Sequence, residues 1–388
     1  MLLTADPINI LWALPFITLL TCIALMPFVH RHWWERWYPA VAVALGLIPS
    51  CYYWFISPSA TRWVHGMEDY VGFIILLASL FIVSGGIVIH VNRKATPATN
   101  SAMLLLGAVF ANIFGTTGAS MLLIRPYLRM NRRHIRPFHI VFFIFIVSNA
   151  GGLLTPVGDP PLFLGYLKGV PFWWVLEKCR WMWLVVVGTL VAIFFIIDTI
   201  EDGKTERHTP EDPGPAVLIL GIQNLLFIAL IIWAVFQPSF FELLRAHGLG
   251  AGLAAKALTC RELLMVAAAI GSILLTGRQI YQRNEFSYAP IREVAILFVG
   301  IFATMVPALQ WLNANAHRMP LKSPGQFYFT SGSLSSVLDN APTYLTFLEV
   351  ELGKLREDDV KTAVRELNRM GKERTLEFDG KNLSQPVR

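Results

Sequence analysis

The chain is broken into apolar blocks, each about as long as the hydrocarbon core of a bilayer is thick. A helix rises about 1.5 Å per residue, so roughly 20 mainly apolar residues carry it across. Ile8–Val29, Val71–Val91, Trp181–Ile197, Ala216–Phe236 and Ile291–Leu312 read as spans. Trp37–Ile56 is more polar but long enough, and Leu263–Leu275 is short and is expected to extend at both ends. These blocks predict an all-α polytopic membrane protein. They exclude a water-soluble fold, since only 15% of the 388 residues are charged, against about a quarter in soluble domains. Asp6 and Pro7, with no Lys or Arg, precede the first block, which therefore reads as a retained helix and not a signal peptide.

The net charge is +6. In a soluble protein such an excess would point to nucleic acid; in this chain the basic residues sit in short loops, where they set orientation, and no nucleic-acid partner is expected. Arg31 and Arg36 follow the first span, and Arg93 and Lys94 follow the third, whereas the loop near Arg62 also holds Glu68 and Asp69. The N-terminus is thus expected outside, and the loop after span three in the cytoplasm. Trp33, Trp34, Trp173 and Trp174 fit interfacial belts. Cys22, Cys51, Cys179 and Cys260 lie far apart, with no metal or redox spacing, and read as packing residues.

One apolar stretch does not fit a simple crossing. Residues 101–124 lie between the basic loop after span three and the cluster Arg125, Arg129, Arg132, Arg133 and Arg136, so both flanks belong in the cytoplasm. The centre of the stretch, Asn112 to Ser120, is rich in glycine and hydroxyls. A re-entrant hairpin satisfies both facts, provided that protein or a watery cavity covers its tip. The next segment, 137–167, is apolar to Val147 and then carries glycines and prolines through Pro161. These residues loosen or remove helix hydrogen bonds. They predict a helix unwound near the middle of the bilayer; the alternative is an ordinary loop between two spans.

After the polar linker Asp198–Pro215 come three more spans, and then a second small, polar, apolar-flanked segment at 329–348. The order predicts an inverted repeat, a recurring plan among secondary transporters. The first repeat covers 1–200 and the linker 201–215. An incomplete second repeat covers 216–349, with a charged tail or loop at 350–388. Residues 358–370 could form a surface helix. No second broken helix or closing span follows, so the chain is expected to be a fragment of a longer plan.

Asp159 and Asp339 stand in apolar surroundings beside helix breakers. A carboxylate at membrane depth is costly and usually faces a partner or a pathway, which makes both natural cation ligands. Neutral oxygens are offered nearby by Asn112, Thr116, Thr117, Ser120, Ser148, Asn149, Thr155, Ser335, Ser336, Asn340 and Thr343. A carboxylate that takes sodium when ionised and a proton when neutral gives exchange by competition. The alternative is that both acids cap half-helices. His90 and His139 read as interfacial histidines, and the cluster around Arg125 as an orientation signal. Neither an intramembrane metal-binding His-Glu pair nor a nucleophile with a base is present, so no enzyme is expected.

Three runs, Gly115–Pro126, Ser148–Pro161 and Ser335–Tyr344, together resemble the NhaD-type sodium/proton antiporters of the ion transporter superfamily, which also includes citrate and dicarboxylate transporters. The resemblance implies a scaffold with a mobile transport domain, two opposed hairpins and a homodimer in a bacterial inner membrane. It also implies sodium and protons as transported ions and no cofactor. In the dicarboxylate relatives Ser-Asn-Thr tips bind sodium and substrate; Ser148-Asn149 and Asp339-Asn340 depart from that triplet. With no basic residue in the tips, cation exchange is expected ahead of sodium-coupled symport of citrate or another small carboxylate.

Overall fold

The computed structural model describes residues 8–57, 60–91, 95–132, 135–202, 217–246, 251–321, 323–354, 377–378 and 381–382. Arg93, Lys94, Arg133, most of the linker and the charged tail with its expected helix at 358–370 lie outside the described residues, as does the side chain of Cys260. The described chain runs through α1 (Leu14–Val29), α2 (Arg31–Phe55), α3 (Ala60–Gly85), β1 (Val88–Val91), α4 (Pro97–Met130), α5 (Pro137–Phe143), α6 (Pro160–Leu167) and α7 (Phe172–Asp202). It continues through β2 (Val217–Leu220), α8 (Asn224–Ala246), α9 (Ala251–Leu275), α10 (Arg278–Arg283), α11 (Ala289–Asn315), α12 (Pro324–Ser335) and α13 (Asn340–Lys354). A two-residue ribbon, β3 (Glu377–Phe378) with β4 (Lys381–Asn382), ends it.

The fold is an all-α polytopic membrane protein. Among the described residues, 6 helices are long and apolar enough to cross a membrane: Ile10–Val29, Arg31–Phe55, Ala60–Gly85, Pro97–Met130, Phe172–Glu201 and Ala289–Asn315. Much of their outward surface is apolar; on α7, Trp181 and Val185 are each 67% exposed. In water such a surface would drive association, whereas lipid is its natural solvent.

Two of the expected spans are corrected. Val71–Val91 is helical only to Gly85, after which Gly86 turns the chain into β1. Ala216–Phe236 begins as β2 and becomes helical at Asn224. The strands pair antiparallel, from Val88 with Leu220 to Val91 with Val217. Both are short runs rich in Val and Ile, which suit a strand. Asn224 locks the junction: its Nδ2 donates to Gly86 O at 2.8 Å and Thr276 Oγ1 at 2.8 Å, and its Oδ1 accepts from Ser272 Oγ at 2.6 Å. Any side chain on Gly86 would collide with this amide, because its Cβ would lie 2.6 Å from Asn224 Nδ2.

The chain divides into two compact units, residues 1–71, 167–169 and 292–388, and residues 72–166 and 170–291. In the first, α2 and α11 meet through small residues: a Cβ on Gly300 would stand 2.6 Å from Ala42 O. Such close approach substitutes for the hydrophobic force that lipid removes. Tyr53 donates to Gln310 Oε1 at 2.6 Å across the same pair of helices, beside the packed side chains of Ile8 and Val306. The second unit contains α4 to α10 except the short stretch 167–169, together with β1, β2 and the end of α3 from Gly72.

Candidate functional site

A straight helix of 34 residues would be about 51 Å long. The ends of α4 nevertheless lie together: Asn100 Nδ2 donates to Asn131 Oδ1 at 3.0 Å, and Asn131 Nδ2 donates back to Asn100 Oδ1 at 2.9 Å. Between them Gly107 faces the second arm, where a Cβ on it would stand 3.1 Å from Leu123 Cδ1. The reversal occurs at Gly115, with φ 73° and ψ 157°, a backbone region essentially confined to glycine. Thus α4 is a hairpin of two half-helices with its mouth at Asn100 and Asn131. It enters and leaves on one side, although its length and composition alone match a crossing. Thr96 opens it with a reciprocal side-chain cap, and Pro97 sits in the first turn, where no N–H is missed.

The following helix is broken. After α5 the backbone widens into a π-turn over Ile144–Asn149, tightens to a 3-10 turn over Ala150–Gly152, unwinds through 153–159 and resumes as α6. Asn112, three residues before the hairpin tip, holds this unwound part. Its Nδ2 donates to Gly151 O at 2.7 Å and Ala108 O at 3.0 Å, and its Oδ1 accepts from Leu154 N at 2.9 Å. Its carbonyl accepts from Thr155 Oγ1 at 2.7 Å. On the second arm Thr116 N donates to Gly158 O at 2.9 Å, and Trp183 of α7 donates to Gly151 O at 2.9 Å. Asn112 is therefore a brace for the turn, with its amide engaged on both sides.

Around this brace lie the neutral oxygens. Ser120 Oγ donates to Thr116 O at 2.6 Å and sits 2.8 Å from Ser148 Oγ, which joins the second arm to the π-turn. Ser148 is half-buried, and Thr117 and Asn149 are exposed. Asp159, half-buried, immediately precedes α6, and its carbonyl accepts from Leu162 N at 3.1 Å and Phe163 N at 3.2 Å. Pro160 and Pro161 have no N–H to offer. The N-terminus of α6 therefore lacks the donors that usually attract an anion. What this end presents is an acid, carbonyls and hydroxyls, the ligand types that suit a hard cation.

Ser335, Ser336, Asp339 and Asn340 cluster in the other unit. Ser335 Oγ donates to Asn340 Oδ1, and Ser336 Oγ to Ser333 O at 2.7 Å. Asp339 Oδ1 accepts from Ala341 N at 3.1 Å, and Asp339 O accepts from Thr343 Oγ1 at 2.9 Å. One carboxylate oxygen of Asp339 thus caps α13. Ser323 and Pro324 open α12 with the cap and first-turn proline also seen at Thr96 and Pro97. Among the described residues no group of three or more His, Cys, Asp and Glu could hold a metal ion.

Sequence reasoning missed a second polar group, at the hairpin mouth. Asn100 Nδ2 donates to Asp198 Oδ2 at 2.8 Å, and His139 Nε2 lies 3.2 Å from Asp198 Oδ1. Arg136 N donates to His139 Nδ1 at 3.1 Å, so the ring proton belongs on Nε2 and is given to Asp198. His139 is 3% exposed, and Asp198 does not begin a linker but is 6% exposed within α7. The available signal was Asp198 itself, an acid placed directly after an apolar run and set apart from Glu201 and Asp202 by Thr199 and Ile200.

This chain is similar to the "Probable transporter YedE" of Salmonella typhimurium, 25% identical over 307 residues that cover 72% of this chain and 69% of that protein. No solved structure matches. The family described as "Putative citrate transport" matches residues 5–375, a span that takes in the crossing helices, the hairpin and the broken helix, and the chain belongs to that family of membrane transporters.

Proposed function

We propose that this protein is a sodium-coupled secondary transporter whose sodium site lies at the turn between Ser148 and Asp159. The observation that carries this reading is the local chemistry: the Ser120–Ser148 hydroxyl pair, the unwound backbone held by Asn112, and Asp159 beside a helix start stripped of N–H donors. Half-helix ends and unwound carbonyls of this kind coordinate sodium in other transporters built on broken helices. Thr116, Thr117 and Asn149 belong to the rim of the site, and Ser335, Ser336, Asp339 and Asn340 to a second tip. In the finer reading sodium is exchanged for protons, with Asp159 and Asp339 binding one ion or the other. A bacterial inner membrane and a homodimer complete it.

A second reading, sodium-coupled uptake of citrate or another small carboxylate, is favoured by the description of the matched family. One assay separates the two. Protein reconstituted into liposomes with an internal pH-sensitive dye is given a sodium gradient, with and without labelled citrate. Exchange predicts a sodium-driven pH change in the absence of citrate. Citrate accumulation that requires sodium, with no pH change in its absence, assigns the second reading. If sodium drives neither, sodium coupling is wrong.

A further inference from the structure

We propose that the second arm of the hairpin carries a binding site for the headgroup of an anionic phospholipid, distinct from the transport site at its tip. A cavity of about 550 Å³ opens beside this arm. Its wall is apolar, formed by Phe81, Met121 and Leu128, and its charged groups are Arg125, Arg129 and Glu285. Every one of these residues belongs to the second compact unit.

Depth argues for a lipid. Arg125 and Arg129 follow the tip at Gly115 by ten and fourteen residues, which places them roughly 15 and 21 Å from it along the helix. Half the hydrocarbon core is also about 15 Å. With the hairpin tip at mid-membrane, the two guanidinium groups stand at the level of phospholipid phosphates, one turn apart on one face. Basic pockets at this level on the cytoplasmic side are where anionic headgroups bind, and the apolar wall below them suits acyl chains.

Among the described residues, the neighbours of the two arginines do not saturate them. Arg125 Nη1 donates to Asn284 Oδ1 at 2.7 Å, and its other terminal nitrogen makes a long 3.4 Å contact with Glu285, whose side chain is 79% exposed. Arg129 approaches His90 Nδ1 at 3.4 Å and is otherwise exposed. A phosphate needs several donors at short range; Glu285 offers one distant carboxylate. Glu285 also stands at φ 43°, in the left-handed region that a residue with a side chain occupies at a cost. The turn holds an acid beside Arg125, where it competes with an incoming phosphate.

The test is thermal stabilisation of the purified full chain in detergent, titrated with phosphatidylglycerol, with phosphatidylcholine of the same chains, and with inorganic phosphate. Phosphatidylglycerol is expected to stabilise and phosphatidylcholine is not. Replacing both Arg125 and Arg129 with Gln should weaken the phosphatidylglycerol effect by about fivefold per arginine. Glu285→Gln should strengthen it, a gain that general damage to the fold does not produce. Equal stabilisation by both lipids, or no strengthening in Glu285→Gln, overturns the proposal. Equal stabilisation by inorganic phosphate assigns the site to a soluble anion and also overturns it.

Discussion

Asn112 uses its amide to join two segments that meet only through tertiary structure. It binds Gly151 and Leu154, which are 39 and 42 residues away, while also bonding back to its own helix. Removing it strands the part-buried Leu154 N–H and leaves Gly151 O with the Trp183 bond alone. Asn112→Ala is therefore expected to cost roughly 2–3 kcal/mol, measured by unfolding in detergent, and to abolish sodium-dependent transport in the fraction that remains folded. The buried dyad gives a second residue-scale expectation. Because Arg136 N–H fixes the His139 proton on Nε2, an asparagine at position 198 would aim its NH2 at one of two donors, Asn100 or His139. Asp198→Asn should then lower stability by about 1–3 kcal/mol, with thermal unfolding as the check. Asn112 and Ser148 were legible as polar residues in apolar surroundings. Their pairings were not, because bonds across 28, 39 and 42 residues leave no local pattern.

At the scale of elements, the hairpin and the broken helix depend on where the chain cannot stay helical. The hairpin needs one residue, Gly115, at φ 73° and ψ 157°. A Cβ there would meet nothing closer than Val157 O at 3.4 Å, so space is not the obstacle; the backbone region is. Gly115→Ala is expected to destabilise the tip by about 1–3 kcal/mol and to reduce transport, as read in the liposome assay. The glycine-rich centre and the charge on both flanks made this reversal readable from sequence, as the glycines and prolines around Asp159 did for the unwinding. The short β1–β2 ribbon was not readable. Val88–Val91 and Val217–Leu220 continue the apolar blocks they adjoin, and only their pairing with each other, from Val88 with Leu220 to Val91 with Val217, distinguishes strand from helix.

At the scale of the whole molecule, the apolar blocks alone determined the class of protein, because only a membrane accommodates so much outward apolar surface. Transport follows from the family. The ion that drives it is the central claim, and it rests on oxygen ligands at the end of the broken helix. The most direct test is the thermal stability of the purified protein across a sodium titration at two pH values, with wild type compared with Ser148→Ala and Asp159→Asn. The account predicts that sodium stabilises the wild type, less so at the lower pH, and that each substitution raises the sodium concentration required by about tenfold, ~1.4 kcal/mol. Sodium protection that is the same in all three proteins, or absent from the wild type, would contradict it.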